Sequence, residues 1–135
     1  MDLLEQLKRD EGVRYKPYVD TVGKSTIGVG RNLTDVGISE AEAEFLLAND
    51  IARVTDQLAP YAWYQGLDEV RKAAIENMCF NIGLASLLHF PTLLHCLTVR
   101  DWPGAAAAMA DSRWAVQVGD RAKRLQQQIL TGEWQ

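Results

Sequence analysis

Cysteine and long apolar runs are both scarce in this sequence. Cys79 and Cys96 are its two cysteines, so a disulfide-stapled scaffold is excluded and one bridge is the upper limit. Both lie inside apolar helical patterns, where a small buried thiol is the expected role. No apolar stretch approaches the roughly 18 residues of a membrane span. The N-terminal MDLLEQLKRDEG has no apolar core of the kind a signal peptide carries, so residence in a cytoplasm is expected unless another agent exports the chain. Internal repeats and low-complexity linkers are missing as well. Basic charge is in deficit, with 14 Lys and Arg against 18 Asp and Glu for a net −4. That balance argues against non-specific binding to nucleic acid, which draws on cations neutralising phosphates. It leaves no basic recognition helix for a regulatory DNA-binding domain.

The material that is present suits a soluble globular protein. Hydrophobic residues make up 47% and charged ones 24% of 135 residues, enough apolar side chain for one domain or two small lobes but not two full domains. Leu3, Leu4 and Leu7 share one face of a helix over 2–11, with Gly12 as its terminator. Between 13 and 34 the texture turns β-prone, with Tyr15, Tyr18, Val19 and Thr26-Ile27-Gly28-Val29-Gly30 flanking a Val22-Gly23-Lys24 turn. This reads as a small antiparallel hairpin or sheet, with Pro17 confining its run to an edge or an irregular stretch. Ser39-Glu40-Ala41-Glu42 is a capping box that opens a helix to about 59. A second long helix runs from about 68 to 82, with Val70, Ala74, Ile75, Met78 and Cys79 on its apolar side. Shorter helices follow over about 92–99, 103–111, 113–116 and 120–131, delimited by Pro91, Pro103, Gly119-Asp120 and Gly132. The fold class is α+β, mostly α. A small β-hairpin lobe, about 12–38, is joined by the helix at about 39–59 to a helical lobe, about 60–135 plus helix 2–11. The junction of two lobes is a usual place for a cleft.

Two carboxylates and a hydroxyl stand out against this background. Glu11 falls at the C-terminal end of the first helix, where the dipole opposes its charge by about 0.3–1 kcal/mol. Asp20 falls at the hairpin turn and Thr26 opens the next strand. Each alone reads as an ordinary surface residue. The glycines around them, Gly28 and Gly30, are unexplained by strand propensity and suit close approach of a backbone or ligand. Two carboxyls in unlike environments are what glycoside hydrolysis requires, one protonated to serve the leaving oxygen and one ionised to activate water or attack carbon. Glu11 is the candidate acid, Asp20 the candidate base, and Thr26 a hydroxyl to hold the water.

The segment RDEGVRYKPYVDTVGKSTIGVGRNLT, residues 9–34, resembles the N-terminal motif of phage lysozymes of the T-even type, a glycoside hydrolase family. ISEAEAEFLLANDI resembles the start of that family's interlobe helix, LDEVRKAAIENMCFNIG its central helix and DSRWAVQVGDRAKRLQQQILTGEW its C-terminal segment. The order is kept over nearly the whole chain. The resemblance implies a lysozyme-like two-lobe fold and an endolysin that cleaves the β-1,4 bond between N-acetylmuramic acid and N-acetylglucosamine. The family's catalytic Glu, Asp and Thr fall on Glu11, Asp20 and Thr26. Inversion is implied, with carboxyls roughly 6.5–9.5 Å apart to admit a water. Substrate contacts are implied at Gly30, Asn32, Phe80, Asn81 and Arg121, the last facing the catalytic Glu across the cleft. No cofactor and no metal are implied; His89, His95 and Cys96 make a weak metal signal. The expected partner is peptidoglycan glycan, met by a monomer without membrane insertion. The chain would wait in the host bacterial cytoplasm for a membrane pore made by another protein.

Departures from the family pattern carry their own expectations. The stretch between Thr34 and Ser39 is trimmed, as is the one near 59–65. Position 31 is Arg where larger relatives have His, and Asp50 matches that residue's partner, so an Arg31–Asp50 ion pair is expected. Position 108 is Ala in place of a polar substrate contact. Trp102 and Trp114 are expected as core anchors. Residues 1–59 hold the whole charge excess, while Arg113, Arg121, Lys123 and Arg124 face only Asp120 within 113–124, a local basic lip beside the expected cleft. Two other readings stay open: a transglycosylase on the same bond, for which a water-activating Asp20 is unnecessary, and a wall-binding protein of this fold without catalysis.

Overall fold

The computed structural model describes all of residues 1–135. Nine helices and three strands follow one another as α1 (Leu3–Glu11), β1 (Arg14–Val19), β2 (Ser25–Gly28), β3 (Arg31–Asn32), α2 (Glu40–Leu58), α3 (Ala62–Gln65), α4 (Glu69–Ile82), α5 (Leu84–Leu87), α6 (Pro91–Thr98), α7 (Trp102–Ala110), α8 (Arg113–Val118) and α9 (Asp120–Thr131). This is the expected α+β chain, mostly α. It falls into two compact units, Met1–Leu46 and Leu47–Gln135, with the division inside α2. No helix is long and apolar enough to cross a membrane.

In the first unit, α1 is fixed at both ends by its own sequence. Asp2 caps it, its side chain accepting from the Glu5 N–H while the Glu5 carboxylate reaches back to the Asp2 N–H. At the far end Gly12 turns the chain out at φ +76°, a conformation that favours glycine. The three strands form one antiparallel sheet in the order β1-β2-β3. Pro17, which has no N–H to give a ladder, sits where the β1–β2 register shifts between Arg14 and Tyr18, and β1 is an edge strand. Thr26 on the central strand lies opposite Tyr18 on one side and Asn32 on the other. Gly30 lies in the turn between β2 and β3 rather than in a strand, at φ +68°. Ser39 opens α2 through the expected capping box: its hydroxyl accepts from the Glu42 N–H at 3.1 Å, and the Glu42 carboxylate accepts from the Ser39 N–H at 2.9 Å.

The expected Arg31–Asp50 pair does not form. Arg31 reaches the Glu42 carboxylate at 2.8 Å and the Gly37 carbonyl at 3.2 Å, while Asp50 pairs with Arg53 one turn along its own helix. The short connection from β3 to α2 sets the first turn of α2 beside Arg31, and the capping box has already turned Glu42 that way. The guanidinium, followed by the Ser39 N–H and hydroxyl, lowers the Glu42 carboxyl to about 2.

The second unit holds the core. Leu58, Ile75, Met78, Leu87, Leu93, Leu97, Met109 and Ile129 are fully buried, and Cys79 and Cys96 are free thiols among them, as expected. The helix α4 supplies Ala74, Ile75, Met78 and Cys79. It is capped by Asp68, whose side chain accepts from the Arg71 N–H. The helix α9 locks onto it through Gln128, whose side-chain amide donates to the Val70 carbonyl at 2.8 Å, and through Arg71, which donates to the Ile129 carbonyl at 2.6 Å. Trp114 is 5% exposed and its indole N–H donates to the Asn81 side chain at 2.8 Å. Trp102 packs partly buried against the core beneath the Arg71 guanidinium, 4.1 Å from the ring centre. The single-turn helices α3 and α5 are not among the helices expected from the sequence, because four residues are too few to show a helical period.

Candidate active site

Five of the candidate residues, Glu11, Asp20, Thr26, Gly30 and Asn32, share the first unit, and the sequence between them accounts for their placement. Glu11 is the last residue of α1 and is exposed. Gly30 stands against it: a methyl group on Gly30 would meet Glu11 Oε2 at 3.4 Å. The positive-φ turn at Gly30 thereby lets the backbone lie beside the carboxylate, the close approach its glycine suggested.

Asp20 follows the last residue of β1 and starts the hairpin turn. One oxygen, Oδ1, accepts two backbone N–H groups, from Val22 at 3.0 Å and from Lys24 at 2.8 Å. Its own N–H donates to the Lys24 carbonyl at 2.9 Å. This Asx-type turn fixes the carboxylate without using its second oxygen. Thr26 is the one buried side chain of residues 1–46, at 4% exposure. A buried hydroxyl needs a partner, and Thr26 Oγ1 donates to the same Lys24 carbonyl at 3.0 Å. Lys24 was not a sequence candidate. The signal was present in the spacing Asp20, Lys24, Thr26, because a four-residue turn returns residue 24 to residue 20.

Asn32, opposite Thr26, uses both ends of its amide on the following turn. Its Oδ1 accepts from the Asp35 N–H at 2.9 Å and its Nδ2 donates to Asp35 Oδ2 at 3.0 Å. Asp35 in turn takes Lys24 Nζ at 3.3 Å.

The other three candidates lie in the second unit. Phe80 is 46% exposed and lines, with Arg121, Asn77, Glu76, Ile51 and Trp134, a mostly apolar cavity of about 330 Å³. Arg121 is held by Asn77, donating to its side-chain oxygen at 2.9 Å and to its carbonyl at 3.3 Å. Asn81 is not on that cavity; its side-chain oxygen is spent on Trp114. Lys123 in the basic segment pairs with Asp120 at 3.7 Å.

A small antiparallel sheet near the N-terminus followed by a helical C-terminal part is the α+β lysozyme fold, and that class of protein is a glycoside hydrolase. The family model described as Phage lysozyme matches residues 8–129, and the chain belongs to that family. Among its relatives, a protein named probable T4-type lysozyme 1 of Dictyostelium discoideum is 29% identical over 95% of this chain and 93% of its own length. A SAR-endolysin of Bacteriophage PS34 is 34% identical over 85% of this chain and 69% of its own. The pre-baseplate central spike protein Gp5 of Enterobacteria phage T4 is 31% identical over 98% of this chain, which spans only 28% of that longer protein.

Proposed function

We propose that this chain is an endolysin of the muramidase kind, hydrolysing the β-1,4 bond between N-acetylmuramic acid and N-acetylglucosamine in bacterial peptidoglycan with inversion. The observation that carries the reading is the shared anchoring of Asp20 and Thr26 on Lys24. It leaves Asp20 Oδ2 and a lone pair of Thr26 Oγ1 as acceptors for a water. In the reaction, Glu11 as general acid gives its proton to the glycosidic oxygen as the bond from that oxygen to the anomeric carbon breaks. The water oxygen forms the new bond to that carbon and yields one proton to Asp20. A reprotonated Glu11 and a deprotonated Asp20 restore the start.

Gly30, Asn32, Phe80, Asn81 and Arg121 are read as substrate-side residues, with Phe80 and Arg121 supported by their common cavity. The partner is the glycan strand, the working form a monomer, and access to the wall comes through a membrane pore made by another protein. A turbidity assay on permeabilised bacteria tests the role of Glu11. Glu11→Gln should slow lysis at least about a hundredfold, and lysis at the parent rate would refute the assignment.

A further inference from the structure

Lys24 deepens this hydrolytic reading, and the inference rests on it. Three bonds converge on its main chain: its N–H on Asp20 Oδ1, and its carbonyl taking both the Asp20 N–H and the Thr26 hydroxyl proton. Because that carbonyl claims the only proton of Thr26 Oγ1, the hydroxyl can meet a water only as an acceptor. Because Oδ1 of Asp20 already accepts two N–H groups, the water's other proton is left to Oδ2. A water held this way points both protons into the protein and a lone pair outward, the orientation a nucleophile at the anomeric carbon needs.

The main chain of Lys24 is itself held from outside the turn. Its ammonium meets Asp35 Oδ1 at 3.3 Å, Asp35 Oδ2 is bonded by the Asn32 amide at 3.0 Å, and the next residue's N–H, that of Ser25, donates to Thr34 Oγ1 at 3.0 Å. The turn over 32–35 therefore clasps the turn over 20–24. We propose that Lys24, clasped by Asp35 and Asn32, is a positioning residue that fixes the orientation in which the attacking water donates its hydrogen bonds to Asp20 Oδ2 and Thr26 Oγ1.

Exposed ion pairs add little to stability, so the clasp should act on rate and leave folding nearly untouched. The test compares the parent, Lys24→Met, Lys24→Arg and Asp35→Ala on solubilised glycan strands, with melting temperatures measured alongside. Lys24→Met and Asp35→Ala should each lower kcat about tenfold, the scale of a sub-ångström to ångström misplacement, with KM within about twofold and Tm nearly unchanged. Lys24→Arg, which can still reach Asp35, should recover most of the rate. In amide NMR, the shift of the residue 24 N–H that follows Asp20 ionisation should shrink in Asp35→Ala. Parent kcat in Lys24→Met and Asp35→Ala overturns the inference. So does a loss that tracks a fall in Tm and is not rescued by Lys24→Arg. A parent chain that releases no reducing ends is a different result and overturns the hydrolytic reading itself.

Discussion

Glu11 and Gly30 form one unit of design at the residue scale. Glu11 ends α1, so the partial negative charge of the helix C-terminus works against its carboxylate. Glu11→Gln should therefore stabilise the fold by about 0.3–1 kcal/mol while removing the proposed acid, which thermal unfolding and lysis measured on one preparation would check. Gly30→Ala carries the opposite sign. Its φ of +68° costs an L side chain about 1–2 kcal/mol, and the new methyl sits 3.4 Å from Glu11 Oε2. Loss of stability together with loss of lysis is expected. In the second unit, Asn81→Ala should cost about 1–3 kcal/mol in a denaturant titration, because it strands the buried Trp114 N–H.

Elements show how much of the fold was legible in advance. The long helices were readable because each carries several turns of apolar period and an explicit start, Ser39 with Glu42 for α2 and Asp68 for α4. The one-turn helices and the two-residue β3 were not, since neither shows a period. Glu11, Asp20 and Thr26 were legible as candidates, from their order and from the glycines beside them. Lys24 and Asp35 were not, because their part is played by main-chain atoms and by a contact between two turns. Arg31 departs from expectation for a related reason: a pattern of residue types points to Asp50, whereas the short connection to α2 sets Glu42 beside it. Its consequence is a pH dependence with a definite sign. The Glu42 carboxyl is lowered from about 4.5 to about 2, so the folded state holds the ionised form more strongly than the unfolded chain does. That stability is fully present above pH 4.5 and is lost as pH falls through 2. The acid limb of a melting-temperature profile should be shallower in Glu42→Gln, and flat behaviour between pH 5 and 8 should be common to both, since Arg31 does not titrate there.

On the scale of the whole molecule, the net −4 conceals an uneven distribution. All of the excess acid lies in residues 1–59, while Arg113, Arg121 and Arg124 mark a basic stretch in which Lys123 is paired with Asp120. Attraction to an anionic wall is thus local, over a range salt screens within about 8–10 Å. Lysis should decline less steeply between low and physiological ionic strength than for a relative of net positive charge, and a steep decline would count against local steering. Water-mediated cleavage by Glu11 with Asp20 and Thr26, as proposed, can be followed in digests of purified peptidoglycan by mass spectrometry and anomeric NMR. Hydrated N-acetylmuramic acid reducing ends of inverted configuration are expected from the parent chain and none from Glu11→Gln. Anhydro ends, retained configuration, or unchanged release by Glu11→Gln would contradict the proposed cleavage.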